Sequence, residues 1–282
     1  MPRRVACGVF VLIACLVAPV DARAWGSAAH RYITARALDL LPPPLKPFFD
    51  AHRDEIVLRS TDPDLWRNAG WEDDPNHFMN FGVPEYGRYP FAGLPREYGA
   101  AIEKFGLATL RRNGLLPWRE AEEFGNLRRA MERRGPYAAT DIVLFSAVAA
   151  HYIQDAHQPL HATNNYDGAL TDQRGVHARF ETDLFERFRE RLTIEPDPPR
   201  AIVNVRDFAF DALLASYSLV PAVLDADRAA TTGRDAYDDL YFERFFAAAR
   251  AVLESRLRDA ITATASIITS AWEQAGRPAI RP

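Results

Sequence analysis

Cysteine is nearly absent from this chain of 282 residues: there are two, Cys7 and Cys15, and both fall within the first 24 positions. A disulfide framework for the body of the protein is thereby excluded, and so is a cysteine nucleophile. A basic surplus is lacking too. Lys and Arg number 34 against 38 Asp and Glu, a net charge of −4, so strong electrostatic capture of duplex nucleic acid is not expected. Beyond residue 17 the apolar runs are short and broken by Arg, Asp and Gly, and none reads as a bilayer-crossing segment. The alternating pattern of β-hairpins is missing, as are internal repeats, the HExxH of zinc proteases, a His-Asp dipeptide and the GxSxG elbow of serine hydrolases.

What is present begins with an export signal. Arg3 and Arg4 precede an uncharged stretch from Val5 to Val17, and Ala22-Arg23-Ala24 supplies the small-x-small triplet of a signal-peptidase site. The stretch is shorter than the roughly 20 apolar residues that a spanning helix needs. Residues 1–24 therefore read as a signal peptide cut after Ala24, leaving a secreted or periplasmic chain, 25–282, that starts at Trp25. Leu12-Ile13-Ala14-Cys15 resembles a lipobox, so lipidation at Cys15 is the competing reading. Losing Arg3, Arg4, Arg23 and Asp21 would take the charge from −4 to −6.

Helical spacing dominates the remainder. Apolar residues recur at three and four over Ser27–Leu41, Arg96–Arg112, Trp118–Arg134, Ala138–Asp155, Val176–Arg191, Asp207–Tyr217 and Tyr237–Ala275, the last expected as two helices. Proline-rich and polar stretches, among them Asp62–Pro75, Pro84–Pro95 and Asn164–Gly175, read as loops. No flexible linker divides the chain, and the fold expected is a single all-α, multi-helix domain.

All seven histidines lie beyond residue 24, and several keep company with acids. His151 and Asp155 are four apart on an expected helix, which puts both on one face with their Cβ atoms roughly 5 to 6 Å apart. His177 and Glu181 repeat the spacing, and His161 follows Pro159 just past the first pair. Taken singly, each pair is an ordinary helix-surface contact. Together, beside apolar Tyr152, Ile153 and Phe180, they read as buried groups that need partners or a metal, and zinc sites are built from such sets.

The stretch His151-Tyr-Ile-Gln-Asp155-Ala-His157-Gln158-Pro159-Leu160-His161 resembles the His-x3-Asp-x2-Gln-Pro-x-His motif of the zinc-dependent phospholipase C and single-strand nuclease superfamily, exported all-α phosphodiesterases with three zinc ions. Other hallmarks match in order over roughly residues 25–185: Trp25 as a mature terminus, His30, Asp62, His77 followed by Phe78, and His177 with Glu181. The resemblance implies one zinc on Asp62, His77, His151 and Asp155. It implies a second on the α-amine and carbonyl of Trp25 with His30 and a bridging Asp155, and a third on His161, His177 and Glu181. It further implies hydrolysis of a phosphate diester by metal-activated water, with Asp62 both ligand and general base. Hydrogen bonds from Gln158 or Asn164 are expected to orient the ligands.

His52 and His157 have no place in that set. Asp64, Asp73 and Asp74 read as solvated loop acids, and Trp66, Trp71, Trp118 and Trp272 as core or pocket wall. Glutamate at 181 resembles the phospholipase C branch, where the nuclease branch generally has aspartate. That second branch commonly carries an Arg three residues after its first Asp, a position that is Leu65 when counted from Asp62. A phospholipid headgroup, with peripheral contact to a membrane surface, is thus the first expectation for substrate. A single-stranded nucleic acid or nucleotide, as for a nuclease or 3′-nucleotidase, is the alternative. A non-catalytic zinc-binding exported protein is the reading from a different class, and no stable protein partner is implied.

Overall fold

The computed structural model describes residues 25–233 and 236–281. The expected signal peptide and lipobox lie outside these residues. Twelve α-helical segments follow one another: α1 (Ser27–Asp39), α2 (Lys46–Ala51), α3 (Arg53–Arg59), α4 (Asp62–Asn68), α5 (Tyr98–Phe105), α6 (Leu107–Asn113), α7 (Leu116–Glu132), α8 (Ala138–Asp155), α9 (Val176–Ala178), α10 (Leu184–Phe188), α11 (Val205–Thr231) and α12 (Asp239–Gln274). Short 3-10 turns connect several of them, and a π-helical turn, Arg179–Asp183, joins α9 to α10. Among the described residues there is no strand, only an isolated parallel bridge between Phe81 and Thr163. The expected single all-α domain is what the structure shows.

Two helices form the interior. Every residue of α12 from Ala260 to Ile268 is buried, and so is every residue of α8 from Ser146 to Asp155. Both stretches are rich in Ala, Ser and Thr, whose small side chains let neighbouring helices approach on all sides. Against α12 pack α1, α7, α8 and α11, while α7 and α3 cover α8. Each fully buried aliphatic side chain in this core, such as Ile153 or Ile267, contributes roughly 1.5–3 kcal/mol. The C-terminal half of α8 thus carries its polar residues into the centre of the molecule.

Several boundaries differ from the periodicity. The helix expected over Arg96–Arg112 is broken by Gly106, whose φ of 76° suits glycine alone at low cost. Only one helix, α12, covers the C-terminal segment, because no Gly or Pro interrupts it from Asp239 to Gln274. Part of the expected loop Asp62–Pro75 is helix α4, with Pro63 in the first turn, where a missing N–H costs nothing. The segment Val176–Arg191 is divided into α9, the π turn, α10 and a 3-10 turn.

Helix α11 runs well past Tyr217, through Pro221. By length and a mean hydropathy of 1.4 it is apolar enough to cross a membrane, which the broken apolar runs of the sequence did not suggest. In the fold one face of it is buried: it packs on α7 and α12, and its buried Asp227 pairs with Arg179 at 2.9 Å.

Candidate metal centre

Four segments converge at the C-terminal end of α8. His151 and Asp155 project from one face of that helix, with Nε2 and Oδ2 3.3 Å apart. Just beyond, Gln158 caps the 3-10 turn Pro159–Ala162 that carries His161. The extended segment after His77 lies beside this turn, held by hydrogen bonds from Met79 N to His161 O (2.9 Å) and Phe81 N to Ala162 O (3.1 Å). His77 is thereby brought to Asp155, with Nδ1 3.1 Å from Oδ2. From α1 comes His30, stacked on His151 with centroids 4.1 Å apart and with Nε2 3.4 Å from Asp155 Oδ1.

A second grouping adjoins the first. His177 Nε2 stands 2.9 Å from Glu181 Oε2, across the π turn, and His161 Nε2 is 3.7 Å from the same oxygen. Three sets of buried side chains therefore have ligand atoms close enough together to hold cations: His30, Asp64 and His151; His77, His151 and Asp155; and His161, His177 and Glu181. Several of these atoms make no hydrogen bond: both oxygens of Asp64, Glu181 Oε1, His177 Nδ1, and the facing pair His30 Nε2 and Asp155 Oδ1. Burying polar atoms unsatisfied costs on the order of 1–3 kcal/mol each. A set of imidazoles and carboxylates left this way fits zinc, which takes nitrogen and oxygen ligands.

Tautomers are set by acceptor-only neighbours. His151 Nδ1 donates to Ser60 O (2.9 Å), His161 Nδ1 to His77 O (2.8 Å), and His30 Nδ1 to Gln154 Oε1 (2.6 Å). Each proton so placed leaves Nε2 with its lone pair. Burial opposes charge on Asp155, but His151 and His161 hold its carboxyl well below the usual range. Burial likewise opposes charge on Glu181, and His177 outweighs it. For His151, burial and neighbouring His30 both favour the neutral ring, the form that binds a metal.

Of the nine residues expected from sequence, seven fall within these sets. Trp25 is fully buried beside them, its indole N–H donating to Gln154 O at 2.9 Å. Asp62 is not brought in. Its carboxylate accepts from Arg59 Nε at 3.1 Å and is partly exposed, whereas Asp64 is buried against His30 and His151. The reason is helical geometry: two residues on is about 200° around the axis, so only one of these acids can face α8. Asp64 is therefore no solvated loop acid, and neither is Asp73, which is buried with Oδ2 3.0 Å from His77 Nε2. Asp74 remains exposed, 3.5 Å from Arg67. Two signals pointed to the missed acids: Arg67 follows Asp64 by three, and Asp73 precedes His77 by four, the spacing that singled out the other His–acid pairs.

His157 lies outside the site, bonding Ile153 O at 2.7 Å, and His52 packs on Phe48. Gln158 donates to Glu181 Oε2 at 2.8 Å. Above the ligands opens a cleft of about 870 Å³, its floor formed by His77, His161 and His177 and its walls by Arg67, Trp71, Phe78, Arg112 and Tyr166. No protein-family model matches this chain, and no curated protein matches it.

Proposed function

We propose that this protein is an exported zinc-dependent phosphodiesterase of the phospholipase C and single-strand nuclease type, holding three zinc ions. The observation that carries the reading is the convergence of buried imidazoles and carboxylates, ligand atoms unpartnered, beneath an open cleft. A structural zinc site is closed on all sides, and a catalytic one keeps a position accessible. His77, His161 and His177 all line the cleft, which supports catalysis over a purely binding role.

His77, His151, Asp155, Asp64, His30 and the terminus at Trp25 would hold two of the ions, and His161, His177 and Glu181 the third. Zinc in such a centre polarises phosphoryl oxygens and makes water a nucleophile at neutral pH. The role of base and ligand that the sequence suggests for Asp62 passes to Asp64, neither of whose oxygens makes a hydrogen bond: one would serve as ligand and the other could accept a proton from water. Arg67, 3.7 Å from Asp64 and with a buried Nη2 that lacks a hydrogen-bond partner, is placed to take an anionic phosphate oxygen. Phe78 and Tyr166 supply apolar walls to the group attached to it.

Glu181 favours phospholipase C-like chemistry. The second reading, a single-strand nuclease or 3′-nucleotidase, gains from the placement of Asp64: counted from it, Arg67 stands at the third position, as in the nuclease branch. A paired assay of zinc-loaded protein decides. Hydrolysis of phosphatidylcholine at a higher kcat/KM than of single-stranded DNA, RNA or 3′-nucleotides supports the lipase reading, the reverse order supports the nuclease, and activity on neither overturns the enzyme reading.

A further inference from the structure

Among the histidines of the centre, His77 is turned the other way. His30, His151 and His161 donate through Nδ1 to oxygen acceptors and leave Nε2 free. His77 instead directs Nε2 to Asp73 Oδ2 at 3.0 Å and Nδ1 to Asp155 Oδ2 and His151 Nε2, each at 3.1 Å. Asp73 is itself fixed: Tyr152 Oη donates to the same Oδ2 at 2.8 Å, and Asn76 Nδ2 donates to Oδ1 at 2.7 Å. Three donors thus converge on one buried carboxylate, which when ionised can only accept. Tyr152 is the neighbour of His151 on α8, so a single turn of that helix supplies both a candidate ligand and the hydroxyl that holds Asp73 in place.

We infer that Asp73, braced by Tyr152 and Asn76, is a positioning residue that keeps the His77 proton on Nε2 and so makes His77 a zinc ligand through Nδ1. The inference rests on the zinc reading above, and it adds a residue that touches neither metal nor substrate. A carboxylate behind an imidazole fixes the ring's rotation and tautomer and strengthens it as a ligand, and loss of such a partner typically costs roughly 10–100-fold in metal affinity or activity. Asp73 also borders a second, smaller hollow lined by Trp66, Trp71 and Phe145.

The test uses the protein beginning at Trp25, titrated with zinc against a competing chelator, together with long-range proton–nitrogen correlation spectra of its imidazoles. In the zinc-loaded wild type, His77 should carry its proton on Nε2 and be metallated at Nδ1, opposite to His30, His151 and His161. Asp73→Leu, which fills similar space without an acceptor, should weaken one of the three zinc ions by roughly 10–100-fold and leave the other two unchanged. Tyr152→Phe, which keeps the ring and the carboxylate, should weaken the same ion by a smaller factor, and it carries the test if the leucine variant fails to fold. Coordination of His77 through Nε2, or wild-type affinity for all three ions in the variants that fold, overturns the inference. A wild type that shows this coordination yet hydrolyses no phosphodiester overturns the functional reading alone.

Discussion

Asp62 and Asp64 begin the same short helix two positions apart, and they meet different surroundings: Asp62 pairs with Arg59 at the partly exposed edge, while Asp64 is buried between His30 and His151 with both oxygens unpartnered. A buried carboxylate is destabilising unless cations join it; Arg67 stands 3.7 Å from Asp64 and makes no hydrogen bond to it, which leaves the carboxylate able to take a metal beside His30 and His151. Replacement by Asn removes charge and basicity, and turnover should fall by roughly 10²–10⁴, the range for loss of a general base. Asp62→Asn should stay within a few-fold of wild type. Steady-state kinetics on the two variants check this; the reverse ranking would return the role to Asp62.

The metal-free protein should show a specific pH dependence. Burial disfavours protonated His77, but Asp155 and Asp73 outweigh it and push its pKa from 6.5 up to about 9. Stabilisation from that proton is complete below pH 6.5 and disappears as pH rises through 9. Asp73 works in the other direction: burial would raise it, but the hydrogen bond from His77 takes it from 3.8 down to about 2, so its contribution holds above pH 3.8 and is lost as pH falls through 2. Denaturation midpoints of chelated protein should therefore decline between pH 6.5 and 9. Zinc requires the deprotonated ring, so its binding strengthens over the same window and should offset the decline. A midpoint of the metal-free form that rises between these values contradicts the assignment.

Export and metal binding should be linked through Trp25. Its indole is anchored on the carbonyl of Gln154, whose side chain bonds His30, so Trp25 lies beside the candidate ligands. If the α-amine is one of them, a peptide nitrogen cannot replace it, because its lone pair is delocalised. Protein starting at Trp25 should be active, and the same protein with one added Met should lose one zinc and most of its turnover. Full activity with the extra residue, or an active exported form whose terminus is Cys15, would leave Trp25 as a packed aromatic.

Where periodicity and burial agree, the sequence was readable. The helix expected over Ala138–Asp155 has those bounds in the structure, and its His151–Asp155 pair lies on the inner face as the i, i+4 rule requires. His177 and Glu181 also meet, although the backbone between them is a π turn that no spacing rule anticipates. Asp64 and Asp73 were hidden for a physical reason: both lie in a short polar stretch with two prolines, where composition resembles a solvated loop and burial comes from packing against α8. The continuous α12 escaped because a helix of 36 residues is far longer than usual, although nothing in its sequence would stop it.

We propose that the three convergent sets are zinc sites of one catalytic centre. The most direct test is the zinc content of the purified protein beginning at Trp25, followed by elemental analysis as a chelator is added while phosphodiesterase activity and thermal midpoint are recorded. Close to three zinc ions per chain are expected. Activity and midpoint should fall together as the ions leave, because ligands from α1, α4, α8 and the segment after Gly175 are tied to one another by the metals. An active protein that contains one zinc or none, and whose midpoint ignores the chelator, would contradict the proposal.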